Sequence, residues 1–140
     1  IILGTAAIND KSFLKDACNQ YPSKIALAID VRDKKIALSG WKNQTEIDAL
    51  EFIKLVEDYG VSRLIYTDIN RDGTNLGANI QESLLVAKKT KIPLIVSGGI
   101  SSIDDIKNII RHKEKNIEGI IVGKAIYEKK INLKELKNLE

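Results

Sequence analysis

A single cysteine, Cys18, excludes an internal disulfide and any multi-cysteine metal site. A single histidine, His112, excludes a histidine cluster, and its position between Arg111 and Lys113 late in a helical stretch marks it as a surface residue. So few thiols fit a reducing cytoplasm. No apolar run approaches the ~18–20 residues of a membrane-spanning helix, and the first residues lack the basic opening of a signal peptide. Methionine is absent and the chain starts at Ile1, so it is expected to be part of a longer gene product. The net charge is only +3, and basic residues alternate with acidic ones instead of clustering, which argues against a nucleic-acid partner and leaves anionic small molecules. What is present is ordinary for a soluble domain with a real core: 44% hydrophobic and 29% charged residues.

Short apolar runs alternate with helical spacing. Residues 1–3, 25–29, 63–66, 94–96 and 119–122 read as strands, and Ile36-Ala-Leu38 reads as the return arm of a hairpin. Between them, 11–20, a stretch opening at Thr45-Glu-Ile-Asp48, 79–89 and the run through Ile103, Ile106, Ile109 and Ile110 read as helices, followed by two short helical segments. Thr45 to Asp48 resembles a capping box, with Ile47, Leu50, Ile53 and Leu55 on a buried side, and Leu84, Leu85 and Ala87 are expected inside the later helix. Strand–helix units about 30 residues long predict a parallel α/β sheet. The heptad Ile1-Ile-Leu-Gly-Thr-Ala-Ala7 recurs as Ile120-Ile-Val-Gly-Lys-Ala-Ile126, about four units later. A period of four units suggests a duplicated half-barrel, so the expected fold is a TIM (β/α)8 barrel. Residues 1–140 would then be the C-terminal portion of one barrel domain, strands four to eight, with the upstream units absent.

The residues that follow each strand are small, acidic or suited to anions: Gly4-Thr5, Asp30, Thr67-Asp68, Ser97-Gly98-Gly99 and Gly123-Lys124. In a barrel these positions converge on one mouth. Asp30 emerges from five apolar residues, an environment suited to a general acid, or else it pairs with Arg32. The glycines of Ser97-Gly98-Gly99, together with Gly123 and Lys124, lie on adjacent strands at the customary barrel phosphate site, beside a helix capped by Ser101 or Ser102. A branched side chain at Gly98 is therefore expected to cost anion binding more than folding. The plainer alternative is a tight turn needing positive φ. The repeat implies a second phosphate site at Gly4 and Thr5. The polar loop 67–77 offers Thr67 and Asp72 to hydroxyls or to an opening ring. Trp41, the lone tryptophan, either covers core or walls a heteroaromatic ring.

The segments AIDVRD, SGW, LIYTDINRDGT, VSGGISS and IIVGKAIYE, in this order, resemble the phosphoribosylformimino-aminoimidazole carboxamide ribotide isomerase family of histidine biosynthesis over the whole chain. The resemblance implies an aldose–ketose isomerisation, an Amadori rearrangement, without metal or organic cofactor and on a bisphosphorylated ribotide. It implies Asp30 as the acid that protonates the ring oxygen, with Thr67 and Asp72 in catalysis and Arg32 and Trp41 against substrate. Gly4, Thr5, Ser97, Gly98, Gly99, Gly123 and Lys124 would hold phosphate. The partner base of the family lies on the first barrel strand and has no counterpart here. The full-length protein is expected to be a cytoplasmic monomer, and this portion alone inactive. The cyclase subunit of imidazole glycerol phosphate synthase, similar in Asp30 and Arg71-Asp-Gly-Thr74, stays open as an alternative, as does a non-catalytic phosphate-binding half-barrel.

Overall fold

Apolar runs closing on polar residues set the strands of the computed structural model, which describes residues 1–74, 77–137 and 139. In chain order they are β1 (Ile2–Leu3), β2 (Ala26–Arg32), β3 (Lys35–Leu38), β4 (Asn43–Asp48), β5 (Arg63–Asp68), β6 (Leu94–Ser97) and β7 (Ile117–Ile120). The helices are α1 (Thr5–Asn9), α2 (Lys11–Gln20), α3 (Ala49–Val56), α4 (Ile80–Lys89), α5 (Ile103–Arg111), α6 (Lys124–Tyr127) and α7 (Leu133–Leu136). β1, β2, β5, β6 and β7 are parallel neighbours, the succession of a (β/α)8 barrel wall. β2 is long enough to use one edge twice. Its start pairs with β1 at Ala26, and its end pairs antiparallel with β3 at Asp30, so the β3–β4 hairpin rises beyond the wall.

Strand alternation decides which residues form the core. Leu27, Ile29 and Val31 of β2, Leu64 and Tyr66 of β5, and Leu94 and Val96 of β6 are buried in one cluster with Leu14, Phe52, Ile53, Val86, Ile106 and Ile109 from the helices. Each such side chain contributes about 1.5–3 kcal/mol by leaving water. The alternate residues Ala28, Asp30 and Arg32 stand on the opposite face and are only half buried. Cys18 lies in the core, and burial pushes its thiol pKa up, so it is an inert packing group. Among the described residues no helix is long and apolar enough to cross a membrane.

Several elements differ from the sequence expectation. Thr45 to Asp48 is not a capping box: it belongs to β4, where the Thr45 hydroxyl donates to the Ile36 carbonyl at 2.7 Å. Asp48 itself caps α3, accepting from the Leu50 and Glu51 N–H groups. The buried side of α3 is Ala49, Phe52, Ile53 and Val56, leaving Leu55 exposed, and in α4 it is Val86 and not Leu85 that faces inward. Ile110 is likewise exposed. β7 begins at Ile117, two residues before the expected start. The Ser102 cap of α5 is present as a full capping box with Asp105. Of the loop 67–77, Asn75 and Leu76 lie outside the described residues.

Glu57 ties the end of α3 to the approach of β6. Its carboxylate accepts from the Lys91 N–H at 2.6 Å and the Thr90 hydroxyl at 2.9 Å, and those two bonds, the backbone one foremost, hold its pKa below the usual glutamate value. A carboxylate with a depressed folded-state pKa adds stability above its unfolded value, and this is lost as pH falls through the folded one. Glu57→Gln, which keeps an acceptor without the charge, is expected to lower stability at neutral pH and to flatten its decline in the acid range. Urea titrations from pH 7 downward check this, and parallel curves for the two proteins would refute it.

Candidate active site

The register places three polar side chains in one row. Asp30 of β2 pairs with Thr67 of β5, and Thr67 pairs with Ser97 of β6, so all three share the face opposite the helices. With strands ~4.8 Å apart the row spans about 10 Å. Thr67 is buried, and Asp30 and Ser97 are half buried. Arg32 is two residues beyond Asp30 on the same face. Among the described residues no ion pair joins them.

What engages Asp30 is Trp41. The indole N–H donates to Asp30 Oδ2 at 2.8 Å, which turns the β3–β4 connection back over the strand ends. The turn takes an unusual backbone: Ser39, Gly40 and Trp41 have φ of 56°, 65° and 69°. The Ser39 N–H donates to the Thr5 hydroxyl at 3.0 Å, so the same turn also reaches the end of β1. Trp41 is 38% exposed, which excludes the reading that it covers core. Ser39 was not singled out from the sequence, although its place beside Gly40-Trp41 was a usable signal. The turn thus joins the candidate acid and the Gly4-Thr5 turn in one hydrogen-bonded unit.

A cavity of about 200 Å³, several times the ~30 Å³ a water occupies in the liquid, opens between the ends of β6 and β7 and the β5–α4 loop. Ser97, Gly98, Gly99, Gly123 and Lys124 line it together with Asp72 and Gly73. The sequence placed these glycine turns side by side, and the structure does bring them together. Lys124 Nζ donates to the Gly73 carbonyl at 3.2 Å and lies 3.5 Å from the Glu128 carboxylate, so it bridges the loop to α6 at the cavity rim.

The glycines are bare for different reasons. A Cβ on Gly98 would lie 2.5 Å from the Asp68 carbonyl oxygen, and one on Gly99 would lie 2.6 Å from Arg71 Cβ and 2.7 Å from the Gly77 carbonyl oxygen. Both have positive φ, 91° and 78°. Their lack of a side chain is thus demanded by the loop that packs on them, and the expectation that Gly98 serves an anion before the fold is corrected. Gly123 is the opposite case, because nothing lies within 4 Å of its would-be Cβ. Gly4 has only an ordinary 3.8 Å contact. The two also match in conformation, φ −123° and ψ −113° at Gly4 against φ −107° and ψ −99° at Gly123, so the sequence repeat is a structural one. Beside them, Asp105 Oδ2 already accepts from the Ser101 and Ser102 N–H groups, so the start of α5 has those donors spent on its own chain. Among the described residues no group of three or more His, Cys, Asp or Glu is placed to hold a metal ion.

The comparisons with known proteins agree with one another. A family model described as a histidine biosynthesis protein matches residues 1–132. The chain is 56% identical over 136 residues to the 1-(5-phosphoribosyl)-5-((5-phosphoribosylamino)methylideneamino)imidazole-4-carboxamide isomerase of Pelagibacter ubique, covering 97% of this chain and 56% of that protein. It is 44% identical over 139 residues to the isomerase of the same name from Nitrosospira multiformis, covering 99% of this chain and 54% of that one. The chain spans about half the length of the curated relatives it matches.

Proposed function

Since the chain belongs to the histidine biosynthesis protein family, we propose that the protein carrying it performs the isomerisation for which its relatives are named, on a ribotide with two phosphates. The observation that carries the reading is the Asp30–Trp41 pair, set between two glycine turns of matching conformation. The fold supports the rest: its parallel strands follow one another in barrel succession, which is compatible with residues 1–140 being the C-terminal portion of one barrel domain. Such an enzyme works on a soluble metabolite, in keeping with a cytoplasmic setting.

The chemistry needs one acid, one base and no change of oxidation state overall. Asp30, protonated, donates to the ring oxygen of the aminoaldose while the bond from that oxygen to C1′ breaks, leaving a C1′–nitrogen iminium. A base supplied from outside this chain removes the C2′ proton. The electron pair of that C–H bond forms the C1′–C2′ double bond and returns the iminium electrons to nitrogen. Transfer of the enol proton and protonation at C1′ then give the aminoketose. Trp41 holds the Asp30 carboxyl in a fixed orientation, and a well-aimed proton donor is typically worth about 10²–10⁴ in rate. The glycine turns and Lys124 anchor the phosphates, so that distant binding energy orients the ring.

The test is incubation of the full protein with the aminoaldose ribotide. An isomer of unchanged mass supports the reading, whereas an untouched aminoaldose, with the aminoketose and added ammonia consumed instead to a cyclised product, would favour the cyclase reading. Gly123→Ala separates binding from folding. With open space around its Cβ, it is expected to change stability by under about 0.5 kcal/mol. Affinity for a phosphorylated ligand is expected to fall about tenfold, or 1.4 kcal/mol, as the methyl group crowds the anion. Titration calorimetry showing equal affinity in both proteins would remove Gly123 from the site.

A further inference from the structure

We infer that Asp68 is a positioning residue that fixes the loop carrying Asp72 and Gly73 against the cavity. The inference rests on the isomerase reading and deepens it. Asp68 ends β5 one residue after Thr67, so strand alternation turns its side chain away from the polar row and toward α4. There its carboxylate serves both flanks of the loop. Oδ1 accepts from the Asn70 N–H at 2.9 Å, at the loop's start, and Oδ2 accepts from the Asn79 side-chain amide at 2.9 Å, at the cap of α4. Asn79 uses its other amide atom to accept from the Glu82 N–H, so the strut is tied into the helix.

Backbone and neighbours complete the hold. The Asp68 carbonyl accepts from the Arg71 and Asp72 N–H groups at 3.1 and 3.0 Å, which winds residues 68–72 into one turn and places Asp72 at the cavity. That same carbonyl is what a Cβ on Gly98 would strike. The Asn70 side chain donates to Asp33 Oδ1 at 2.9 Å, joining the loop to the β2–β3 turn just beyond Asp30. One carboxylate therefore sets the start and the end of the loop relative to the strand bearing Thr67. A displacement of about 1 Å at such a site can cost about 10²-fold in rate.

The test uses donor–acceptor logic in the full-length protein. Asp68→Asn turns an amide NH₂ toward the NH₂ of Asn79 and breaks that strap. The double variant Asp68→Asn with Asn79→Asp reverses the pair: the new amide donates to the new carboxylate, which still caps α4. The single variant is expected to lose about 10–100-fold in kcat with KM changed by less than about threefold, and the reversed pair to recover to within about fivefold of the unaltered enzyme. Exchange of the Asn70 and Asp72 amide hydrogens, read without substrate, should quicken in the single variant and slow again in the reversed pair. Unchanged kcat in Asp68→Asn, or a folded reversed pair that recovers nothing, would overturn the inference, the latter because a direct proton-transfer role cannot be restored by reversal. If the unaltered protein does not isomerise the ribotide, the isomerase reading falls and exchange decides the strut: quickened and restored exchange upholds it, unchanged exchange overturns it.

Discussion

Asp30→Asn in the full-length protein should lower kcat by about 100-fold or more while leaving affinity for a phosphorylated ligand unchanged. The amide keeps the shape and can still accept the Trp41 indole N–H through its oxygen, so the packing of the turn survives. What it lacks is an acidic proton, since its NH₂ can donate a hydrogen bond but cannot protonate the ring oxygen. The glycine turns at Gly4 and Gly123 lie on other strands and should bind phosphate as before. Steady-state kinetics with calorimetry on the same preparation check both halves. Turnover near that of the unaltered protein would make Asp30 a structural partner of Trp41 and end its assignment as the acid.

Gly98→Val should cost about 3 kcal/mol of folding stability, a large share of the ~5–15 kcal/mol that holds a domain together. Two effects add. Gly98 has φ 91°, where an L side chain is strained, and its new Cβ would sit 2.5 Å from a backbone carbonyl that has no rotamer with which to yield. The expected readout is a lower urea midpoint, in contrast to the near-silent Gly123→Ala. A valine variant with an unchanged midpoint and lost phosphate binding would restore the view that Gly98 exists for the anion.

That reversal shows where sequence reading stops. A glycine pair at a strand end announces bare backbone, but whether a ligand or a neighbouring loop needs the space depends on residues 68, 71 and 77, which no local pattern joins to 98 and 99. The strands themselves were legible because β2, β5 and β6 are apolar on both sides of the wall at their centres, and the α5 cap was legible to within one residue, as Ser101 or Ser102, with packing choosing Ser102. β4 was not. Its sequence, Asn43 to Asp48, has no apolar alternation, and it is held as a strand by hairpin pairing with β3. The helix phases erred at Leu55, Leu85 and Ile110, where an apolar residue sits on the solvent side and only packing reveals it. Asp30, Thr67 and Ser97 were each identifiable from strand ends, and their common row follows from register. The Trp41 bond to Asp30 depends on three successive residues with positive φ, of which only Gly40 advertises that conformation. Asp68 stood beside Thr67 in plain view, yet alternation sends the two to opposite faces and to different work.

The central claim, that Asp30 opens a sugar ring held by two phosphate anchors on the way to an isomerisation, is tested most directly by turnover in deuterated water. The account predicts a product isomeric with the aminoaldose ribotide that carries one non-exchangeable solvent deuteron at C1′, formed by Asp30→Asn about 100-fold more slowly or slower still. An undeuterated product at full rate from that variant, or no isomer from the unaltered full-length protein, would contradict it.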